Sequence, residues 1–415
     1  MGVYRNRRSK FAGFTFWVGL FSFGWPMVGG SQVDGANPSL PEVDQLPVIE
    51  GLPELLMFQD GTRVKNRSDW LRRRAEIGQQ VQYYEYGYLP PTPGNIGAKN
   101  LSSHSIFDGA ATEQRLILSM GPGRQIRFHL RMLVPQSESL TPRKLPVIVL
   151  NDNHQNGHSP IDRELIERGY ALAIYNRTDL APDHPPDHRP DQESNPSRSL
   201  GSARRAYPQY DWATLAIWAW GGMRVLDYLE TLDWVNPKKV VITGHSRGGK
   251  VALLAGSLDE RFAMVVPNGS GCGGTGCFRV QGAGSESLEV ITEPHRFGYW
   301  FHPRLRTFAG QVERLPLDQH FLRALVAPRG LLSTDALADA WGNPLGTQVT
   351  YEAAQAVFDL LGVPDRQGQH FRQGAHDQLA EDWRALLDFA DRLFFDQPAR
   401  RDFKQTPFEV TVNYK

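Results

Sequence analysis

The sequence predicts an α/β fold of three layers, in which a mostly parallel, doubly wound sheet lies between helices and begins with antiparallel strands. The antiparallel strands are predicted at 114–119 and 125–134, and the second run alternates apolar and polar residues, as a strand with one hydrated face does. From residue 145 onward, continuous apolar runs alternate with helical segments, which is typical of a parallel sheet covered on both faces. The predicted parallel strands are 146–150, 170–176, 239–244, 262–268 and 330–335.

Composition limits the classes of partner. The chain has 415 residues, with 45 basic and 45 acidic side chains and a formal net charge of +0. Such a balance provides no general field for nucleic acid or an anionic membrane, and favours a small molecule or a neutral polymer.

Cys272 and Cys277 are the two cysteines. They form either a short-range pair or two unlinked buried thiols, and without neighbouring histidines they predict no zinc site. No metal or organic cofactor is expected.

The N-terminal residues have the order of an export signal. Basic residues at 5–10 precede an apolar run at 11–23 and then small residues, which predicts a signal peptide over 1–30 and a secreted or periplasmic protein. An uncleaved N-terminal anchor is the alternative, because the apolar stretch approaches the length of a membrane span. The remaining predicted divisions are a linker at 31–53, the main domain at 54–400 and a C-terminal tail at 401–415.

Three further segments have distinct predictions. A helix is expected over 68–82 with Asp69 as its cap, and an amphipathic helix over 212–232. The segment 179–208 is polar and rich in proline, so it is expected to be a long surface excursion. It follows the carboxyl end of a predicted strand, which places it on the ligand side of the sheet as a lid or wall.

Residues 244–248, Gly-His-Ser-Arg-Gly, match G-x-S-x-G. The motif directly follows the strand 239–244 and opens a helix-like segment, so strand, sharp turn and helix occur in the order that a nucleophile elbow requires. Glycines suit this strained turn because side chains there would clash with the closely approaching backbone. Ser246 is therefore the predicted nucleophile, and the whole pattern is the plan of an α/β-hydrolase.

A serine nucleophile requires a base, and the base requires a carboxylate that fixes its tautomer. In this fold the chain order is serine, acid, histidine. His376 lies in a loop before the last predicted helix and is favoured as the base over His370, which lies in the last short strand. Asp335 and Asp339 both follow the strand 330–335, and spacing alone does not separate them.

Several ordered motifs make the chain resemble a bacterial glucuronoyl esterase of carbohydrate esterase family fifteen. They span most of the chain from about residue 52 to residue 395. The matching stretches are LNDNHQNG (150–157), AIWAWGGMRVLDYLET (216–231), VVITGHSRGGKVALLAGSLDERFAMVVPNGSGCGG (240–274), LPLDQHFLRALVAPRG (315–330), DAWGNPLG (339–346) and GAHDQLAEDW (374–383).

The resemblance implies a role for each matching residue. Ser246 would attack the ester, and Arg247 would hold the oxyanion together with backbone amides. The resemblance also implies a sugar-binding set in which Lys250 and Glu286 bind uronate hydroxyls and Trp341 lies against the ring. Many members carry the triad glutamate at the position of Gly269, so this chain lacks that acid. A subset of bacterial relatives carries its acid in a D-x-W-x-x-P context, which here begins at Asp339, so the resemblance favours Asp339 over Asp335 as the triad acid.

The implied activity is hydrolysis of esters of glucuronic or 4-O-methylglucuronic acid through a uronoyl-enzyme, as in the linkages between lignin and glucuronoxylan. The expected partner is therefore glucuronoxylan or a lignin-carbohydrate ester, with no nucleic acid, and with no membrane unless the alternative of an uncleaved N-terminal anchor holds. Two alternatives remain open. One is an acetyl-xylan or general carboxylesterase of the same fold, and the other is a catalytically weak carbohydrate-binding protein.

Overall fold

The structure, a computed structural model, describes residues 40–136, 144–152, 157–185 and 201–410. The predicted signal peptide or anchor, the first part of the predicted linker and the last five residues of the predicted tail lie outside the described residues.

One nine-stranded sheet forms the centre of the molecule, with the strand order β1-β2-β3-β5-β4-β6-β7-β8-β9. The neighbours from β1 to β5 pair antiparallel, and the remaining pairs are parallel. The strands are β1 Gly97–Ile106, β2 Ala111–Met120, β3 Ile126–Pro135, β4 Leu145–Asp152, β5 Ala171–Asn176, β6 Val235–His245, β7 Met264–Asn268, β8 Gly330–Ala336 and β9 Gln367–Arg372.

Helices cover both faces of this sheet. They are α1 Arg67–Val81, α2 Pro160–Glu167, α3 Gly201–Ala206, α4 Thr214–Leu229, α5 Arg247–Leu258, α6 Leu288–Ile291, α7 Pro303–Arg306, α8 His320–Val326, α9 Pro344–Leu360 and α10 Ala380–Phe395. Alternate side chains of β4 enter different cores: Val147 and Val149 join the core under α4 and α5, whereas Ile148 joins the core under α2 and α10. The predicted three-layer architecture is confirmed.

Strand β1 was not predicted, because nearly all of its residues are exposed and it lies at the edge of the sheet. A hydrated edge strand shows little apolar alternation from which it could be recognised.

Two helix predictions are wrong in detail. Helix α1 is capped by Asn66, whose side chain accepts a hydrogen bond from the Asp69 backbone N–H at 3.0 Å, so Asp69 is not the cap. Helix α4 is buried almost all round rather than amphipathic. Its second face is covered by the chain around Tyr86 and Pro90, and Trp220 Nε1 donates to the Pro90 carbonyl at 3.2 Å. Residues distant in sequence cover this face, so local periodicity gives no sign of it.

The predicted linker and tail are wrong over their described parts, since both pack on the domain. Leu46 and Leu52 are buried, and the Ile49 N–H donates to the Glu313 carbonyl at 2.8 Å. At the other end, Phe403 is buried and its carbonyl accepts from the Gln369 N–H at 2.8 Å. The tail therefore extends the sheet edge at β9.

The segment 179–208 is only partly the predicted surface excursion. Leu180 and Ala181 are buried, and α3 packs its buried residues close to them. A side chain at Gly201 would meet the Leu180 carbonyl at 2.4 Å, so the two ends of the segment meet in a tight backbone contact. Residues 186–200 lie outside the described residues. The ends of this segment are therefore part of the packed domain.

No helix in the described part of the chain is long and apolar enough to cross a membrane. Cys272 and Cys277 are both free and buried, so the second of the two alternatives for these thiols is correct.

Candidate active site

Ser246 occupies a sharp turn between β6 and α5. Its φ is 56° and its ψ is −122°, a conformation that a residue other than glycine adopts only under strain. The Ser246 N–H donates to the Asn268 carbonyl at 2.9 Å, which ties the turn to the neighbouring strand β7. The first N–H groups of α5 have no acceptor within the helix, so they favour negative charge beside Ser246.

The glycines around Ser246 are required by close backbone approach. A side chain at Gly244 would meet Asn151 Nδ2 at 2.4 Å and the Gly248 carbonyl at 2.5 Å. Asn151 itself braces the turn, because its amide donates to the carbonyls of Thr243 and Gly248 at 3.0 and 2.8 Å. The elbow is therefore held by a buried side chain from β4 as well as by its own backbone.

His376 lies in the loop before α10 and reaches Ser246. Its Nε2 is 2.9 Å from Ser246 Oγ, and its Nδ1 is 2.6 Å from Asp339 Oδ2. Asp339 follows β8 in a turn, where the Gly342 N–H donates to its other oxygen at 2.9 Å. The structure thus brings together serine, histidine and aspartate in one hydrogen-bonded chain, from three separate loops.

The surroundings of Asp339 favour its ionised form. Burial by itself raises its pKa, but the hydrogen bonds from His376 and from the Gly342 backbone outweigh burial, and the pKa lies below its ordinary value. An ionised carboxylate at Nδ1 places the proton on that nitrogen and leaves Nε2 free to accept the serine proton.

The rival residues lie elsewhere. Asp335 is buried within β8, and its Oδ2 has no hydrogen-bond partner among the described residues. His370 is buried in β9, with its Nε2 3.4 Å from Glu381 Oε1, and burial lowers its pKa. Geometry therefore separates Asp339 from Asp335 where spacing could not.

Asp335 makes a testable contribution to stability. Burial raises its pKa from the ordinary 3.8 to about 8, despite the opposing charge of Arg323. The folded state therefore holds a proton that the unfolded state releases above its ordinary pKa, so stability falls as the pH rises between these values. We expect Asp335→Asn to raise the thermal midpoint relative to the wild type at pH 8, by roughly 1–2 °C for each kcal/mol gained in a domain of this size.

The measurement is the thermal midpoint of both proteins at pH 5 and pH 8, with ester turnover recorded in parallel. The gain from Asp335→Asn should be larger at pH 8 than at pH 5, and turnover should be retained. A gain of the same size at both pH values would contradict the raised pKa.

Gly269, the position at which many family members carry the acid, lies beside the histidine. A Cβ there would be 3.6 Å from His376 Cε1 and 3.4 Å from His245 Cε1. The His245 ring lies next to that of His376, with centroids 4.7 Å apart, and its Nδ1 is 2.6 Å from Asn268 Oδ1. His376 is therefore packed on this side by an imidazole and a glycine, and receives its carboxylate from β8 instead.

A cavity of about 470 Å³ opens beside the Ser246 hydroxyl. Its lining residues are Leu150, Asn151, Asp152, Arg177, Asp183, His245, Ser246, Arg247, His376 and Gln378. Arg247 reaches this space with its guanidinium paired to Asp183, at 2.8 Å between Nη1 and Oδ2. The cavity therefore combines the serine and histidine with a partly exposed cation.

Lys250 and Glu286 form a second, buried cluster that does not line this cavity. Lys250 Nζ donates to Glu286 Oε2 and to the carbonyls of Ser270 and Cys272, each at 2.7 Å. A lysine has three N–H donors, so all three are used within the protein. The geometry thus favours Lys250 as the residue that fixes Glu286, over the expected direct contact with a sugar hydroxyl.

Trp341 is half-buried and adjoins this cluster, because the Glu286 N–H donates to the Trp341 carbonyl at 3.1 Å. The exposed Arg296 guanidinium lies 5.2 Å from the Trp341 ring centroid and 4.8 Å from that of Phe297. Phe297 in turn stacks on Trp300 at 4.4 Å. These four side chains form a continuous wall of stacked planar groups.

Within the residues that the structure describes, no group of three or more His, Cys, Asp or Glu side chains is placed to hold a metal ion.

Asp183, Trp300 and Asn151 contribute to the site although they were not singled out as site residues from the sequence. Asp183 lies in the polar, proline-rich segment that predicts a solvated loop, and Trp300 in a stretch without regular periodicity. Asn151 lies at the carboxyl end of the predicted strand β4, which is the edge where ligands bind in such sheets. That position and the matching stretch 150–157 were the signals for Asn151, and the lid or wall expected at 179–208 was the signal for Asp183.

Fold and site together define a class: an α/β-hydrolase fold that carries a serine hydrolase constellation. A family model described as glucuronyl esterase of fungi matches residues 120–362, more than half of the chain. The chain belongs to the glucuronoyl esterase family and is a carboxylic ester hydrolase, which confirms the resemblance found in its motifs.

Individual relatives agree with this placement. A 4-O-methyl-glucuronoyl methylesterase of Wolfiporia cocos is 31% identical over 375 residues, covering 88% of this chain and 84% of the relative. A glucuronoyl esterase of carbohydrate esterase family 15 from Caldicellulosiruptor kristjansonii has a TM-score of 0.74 at 32% identity, covering 88% of this chain and 96% of that one. A promiscuous esterase of the same family from a marine bacterial metagenome has a TM-score of 0.70 at 26% identity, covering 85% and 99%.

Proposed function

We propose that this protein hydrolyses esters of glucuronic or 4-O-methylglucuronic acid, of the kind that link glucuronoxylan to lignin alcohols. The observation that carries the proposal is the hydrogen-bonded chain from Ser246 through His376 to Asp339 on a family-15 fold. This complete chain favours an active enzyme over the alternative of a catalytically weak carbohydrate-binding protein.

In the proposed reaction, Ser246 Oγ attacks the ester carbonyl carbon, and His376 Nε2 takes the proton from the Ser246 hydroxyl. The negative oxygen that develops is stabilised by N–H groups at the start of α5 and by the Arg247 guanidinium. The tetrahedral intermediate collapses, and His376 gives its proton to the departing alcohol, which leaves a uronoyl ester on Ser246. Water, deprotonated by the same histidine, then attacks this ester. The bond from the acyl carbon to Ser246 Oγ breaks, His376 returns the proton to Oγ, and the uronic acid is released.

Recognition of the sugar is assigned to Glu286 and Trp341, with Lys250 fixing the carboxylate of Glu286. Glu286 is buried and accepts from the ammonium at 2.7 Å, so its oxygens are held in one place. A rigid buried acceptor discriminates against ligands that lack the matching hydroxyl, because a group left unpaired costs free energy. The half-exposed ring of Trp341 offers an apolar face for a sugar ring.

We expect Trp341→Ala to lower kcat/KM for benzyl glucuronate by roughly 10- to 100-fold, the loss of about 1–3 kcal/mol of binding. The same change should leave p-nitrophenyl acetate turnover almost unchanged, because an acetyl group has no ring to contact. Trp234→Ala is the matched control, since Trp234 is also half-buried but lies before β6 and away from the site. Equal losses on both esters would contradict a sugar-binding role.

The substrate assignment is tested by comparing kcat/KM of the wild type for benzyl glucuronate, acetylated xylan and p-nitrophenyl acetate. The proposal requires benzyl glucuronate to be the best substrate. Cleavage of the acetyl esters alone would refute it and would identify an acetyl-xylan or general carboxylesterase.

Export to the periplasm or the medium is part of the proposal, on the basis of the basic residues at 5–10 and the apolar run at 11–23. N-terminal sequencing of the protein from culture fluid or periplasm should find a chain that lacks the first residues. Recovery of the uncut chain in the membrane fraction would favour the anchor.

A further inference from the structure

Asp183 lies at the centre of a four-way contact beside the active site. Its Oδ2 is 2.8 Å from Arg247 Nη1 and 3.9 Å from Arg177 Nη2. Its Oδ1 accepts from the Tyr299 hydroxyl at 2.8 Å and from Trp300 Nε1 at 3.2 Å. Both oxygens are thus engaged by partners from separate parts of the chain.

We propose that Asp183 is a positioning residue. It holds the Arg247 guanidinium in the orientation needed to stabilise the oxyanion that forms when Ser246 attacks the ester carbonyl. The proposal rests on the role assigned to Arg247 under the proposed function. Arginine has five N–H donors in a rigid plane, so a salt bridge through Nη1 fixes the plane while it leaves other donors for the reacting oxygen.

Trp300 also restrains the ion pair, because it contacts both Asp183 and Arg247. Its Nε1 donates to Asp183, and the Arg247 guanidinium carbon lies 4.9 Å from its ring centroid. Trp300 itself is 2% exposed and therefore fixed by its surroundings, whereas the Arg247 side chain is 36% exposed. A free arginine side chain loses rotamer entropy when it is ordered, and the contacts of Arg247 with Asp183 and Trp300 remove this freedom before substrate binds.

The carboxylate also has an opposing effect on the reaction. A negative charge 2.8 Å from the guanidinium reduces the positive potential that the oxyanion experiences. Positioning of Arg247 by Asp183 raises kcat, whereas neutralisation of the Arg247 charge by Asp183 lowers kcat. Whether kcat falls or rises when the Asp183 charge is removed therefore shows which effect is larger. Arg247 is partly solvated, so water screens the neutralising charge of Asp183, whereas water does not hold the guanidinium in one orientation. We therefore expect the loss of positioning to outweigh the loss of the negative charge when Asp183 is replaced.

The experiment is a double-mutant cycle of Asp183→Asn and Arg247→Ala, with Asp183→Glu as the conservative variant. Loss of an oxyanion donor costs about 10²- to 10³-fold in kcat, so Arg247→Ala should fall in this range and Asp183→Asn should lose roughly 10-fold with KM nearly unchanged. The double variant should be no slower than Arg247→Ala alone, because Asp183 acts through Arg247. Asp183→Glu should recover part of the loss.

A matched control is Asp108→Asn, which breaks an exposed ion pair with Arg163 at 2.7 Å and should change nothing. Tyr299→Phe removes one bond to Asp183 and should lose less than Asp183→Asn. Additive losses in the double variant, a lowered thermal midpoint with unchanged kcat, or a higher kcat in Asp183→Asn would each overturn the proposal.

The cycle is measured on both benzyl glucuronate and p-nitrophenyl acetate, since hydrolysis of either ester forms an oxyanion. Failure of the wild type on benzyl glucuronate would refute the proposed substrate. The coupling between Asp183 and Arg247 would still be read from the acetyl ester, so the two failures are distinguishable.

Discussion

Ser246→Ala should reduce kcat for ester hydrolysis by about 10⁶-fold, the loss seen when a triad nucleophile is removed from a serine hydrolase. The reason is that the variant has no atom to form the acyl bond, although His376 and Asp339 remain in place. Alanine replaces serine at the same φ of 56°, so the strain of the turn is unchanged and the fold should be retained. Turnover of benzyl glucuronate and the thermal midpoint are the two measurements.

Ser257→Ala is the matched control, near the other end of the helix α5 that Ser246 precedes. Ser257 is buried, and its hydroxyl lies within donating distance of the carbonyls of Leu253 and Leu322, at 2.7 and 2.8 Å. Its loss should lower stability by about 1–3 kcal/mol while kcat stays near the wild-type value. A Ser246→Ala variant that still turns over at more than a small fraction of the wild-type rate would show that another group performs the attack.

Asp339→Asn should lower kcat by about 10⁴-fold, because the amide cannot accept the Nδ1 proton of His376 in the way that the carboxylate does. The imidazole then adopts the wrong tautomer, with its Nε2 protonated and unable to take the serine proton. The present contact of 2.6 Å between Nδ1 and Oδ2 makes this coupling direct. The measurement is kcat for benzyl glucuronate, with a thermal midpoint to show that the fold remains intact.

Asp335→Asn is the paired control, since it changes a neighbouring buried carboxyl group that accepts no bond from His376. It should keep the wild-type kcat. If Asp335→Asn were slow and Asp339→Asn fast, the carboxylate would be assigned wrongly. A loss in neither variant would show that the histidine requires no carboxylate in this enzyme.

Much of the fold could be predicted because the parallel core strands are continuous apolar runs, and the elbow lies between one of them and a helix. The apolar runs at 239–244 and 262–268 correspond to β6 and β7 within a few residues. The failures have a common physical cause, since β1 is a hydrated edge strand and α4 is covered by distant residues. Local sequence pattern reports neither lateral pairing nor cover from remote segments.

The active-site residues likewise include some that the sequence could predict and some that depend on the three-dimensional arrangement. The order of the chain and the loop before the last helix were enough to select His376, because the fold imposes both. Spacing left Asp335 and Asp339 open, and the resemblance to the D-x-W-x-x-P context favoured Asp339. The direction of each side chain, which four residues of separation do not reveal, supplies the geometric reason for that choice. Asp183 could not be predicted, because its role depends on Tyr299 and Trp300, more than a hundred residues away in the chain.

The most direct test of the account is a crystal structure of the Ser246→Ala variant soaked with methyl 4-O-methylglucuronate. The account predicts the ester carbonyl carbon beside position 246, the sugar ring against Trp341 with a hydroxyl bonded to Glu286, and the carbonyl oxygen directed toward Arg247. A sugar ring lodged instead in the cavity between Arg177 and Asp183, without contact to Glu286 or Trp341, would contradict it.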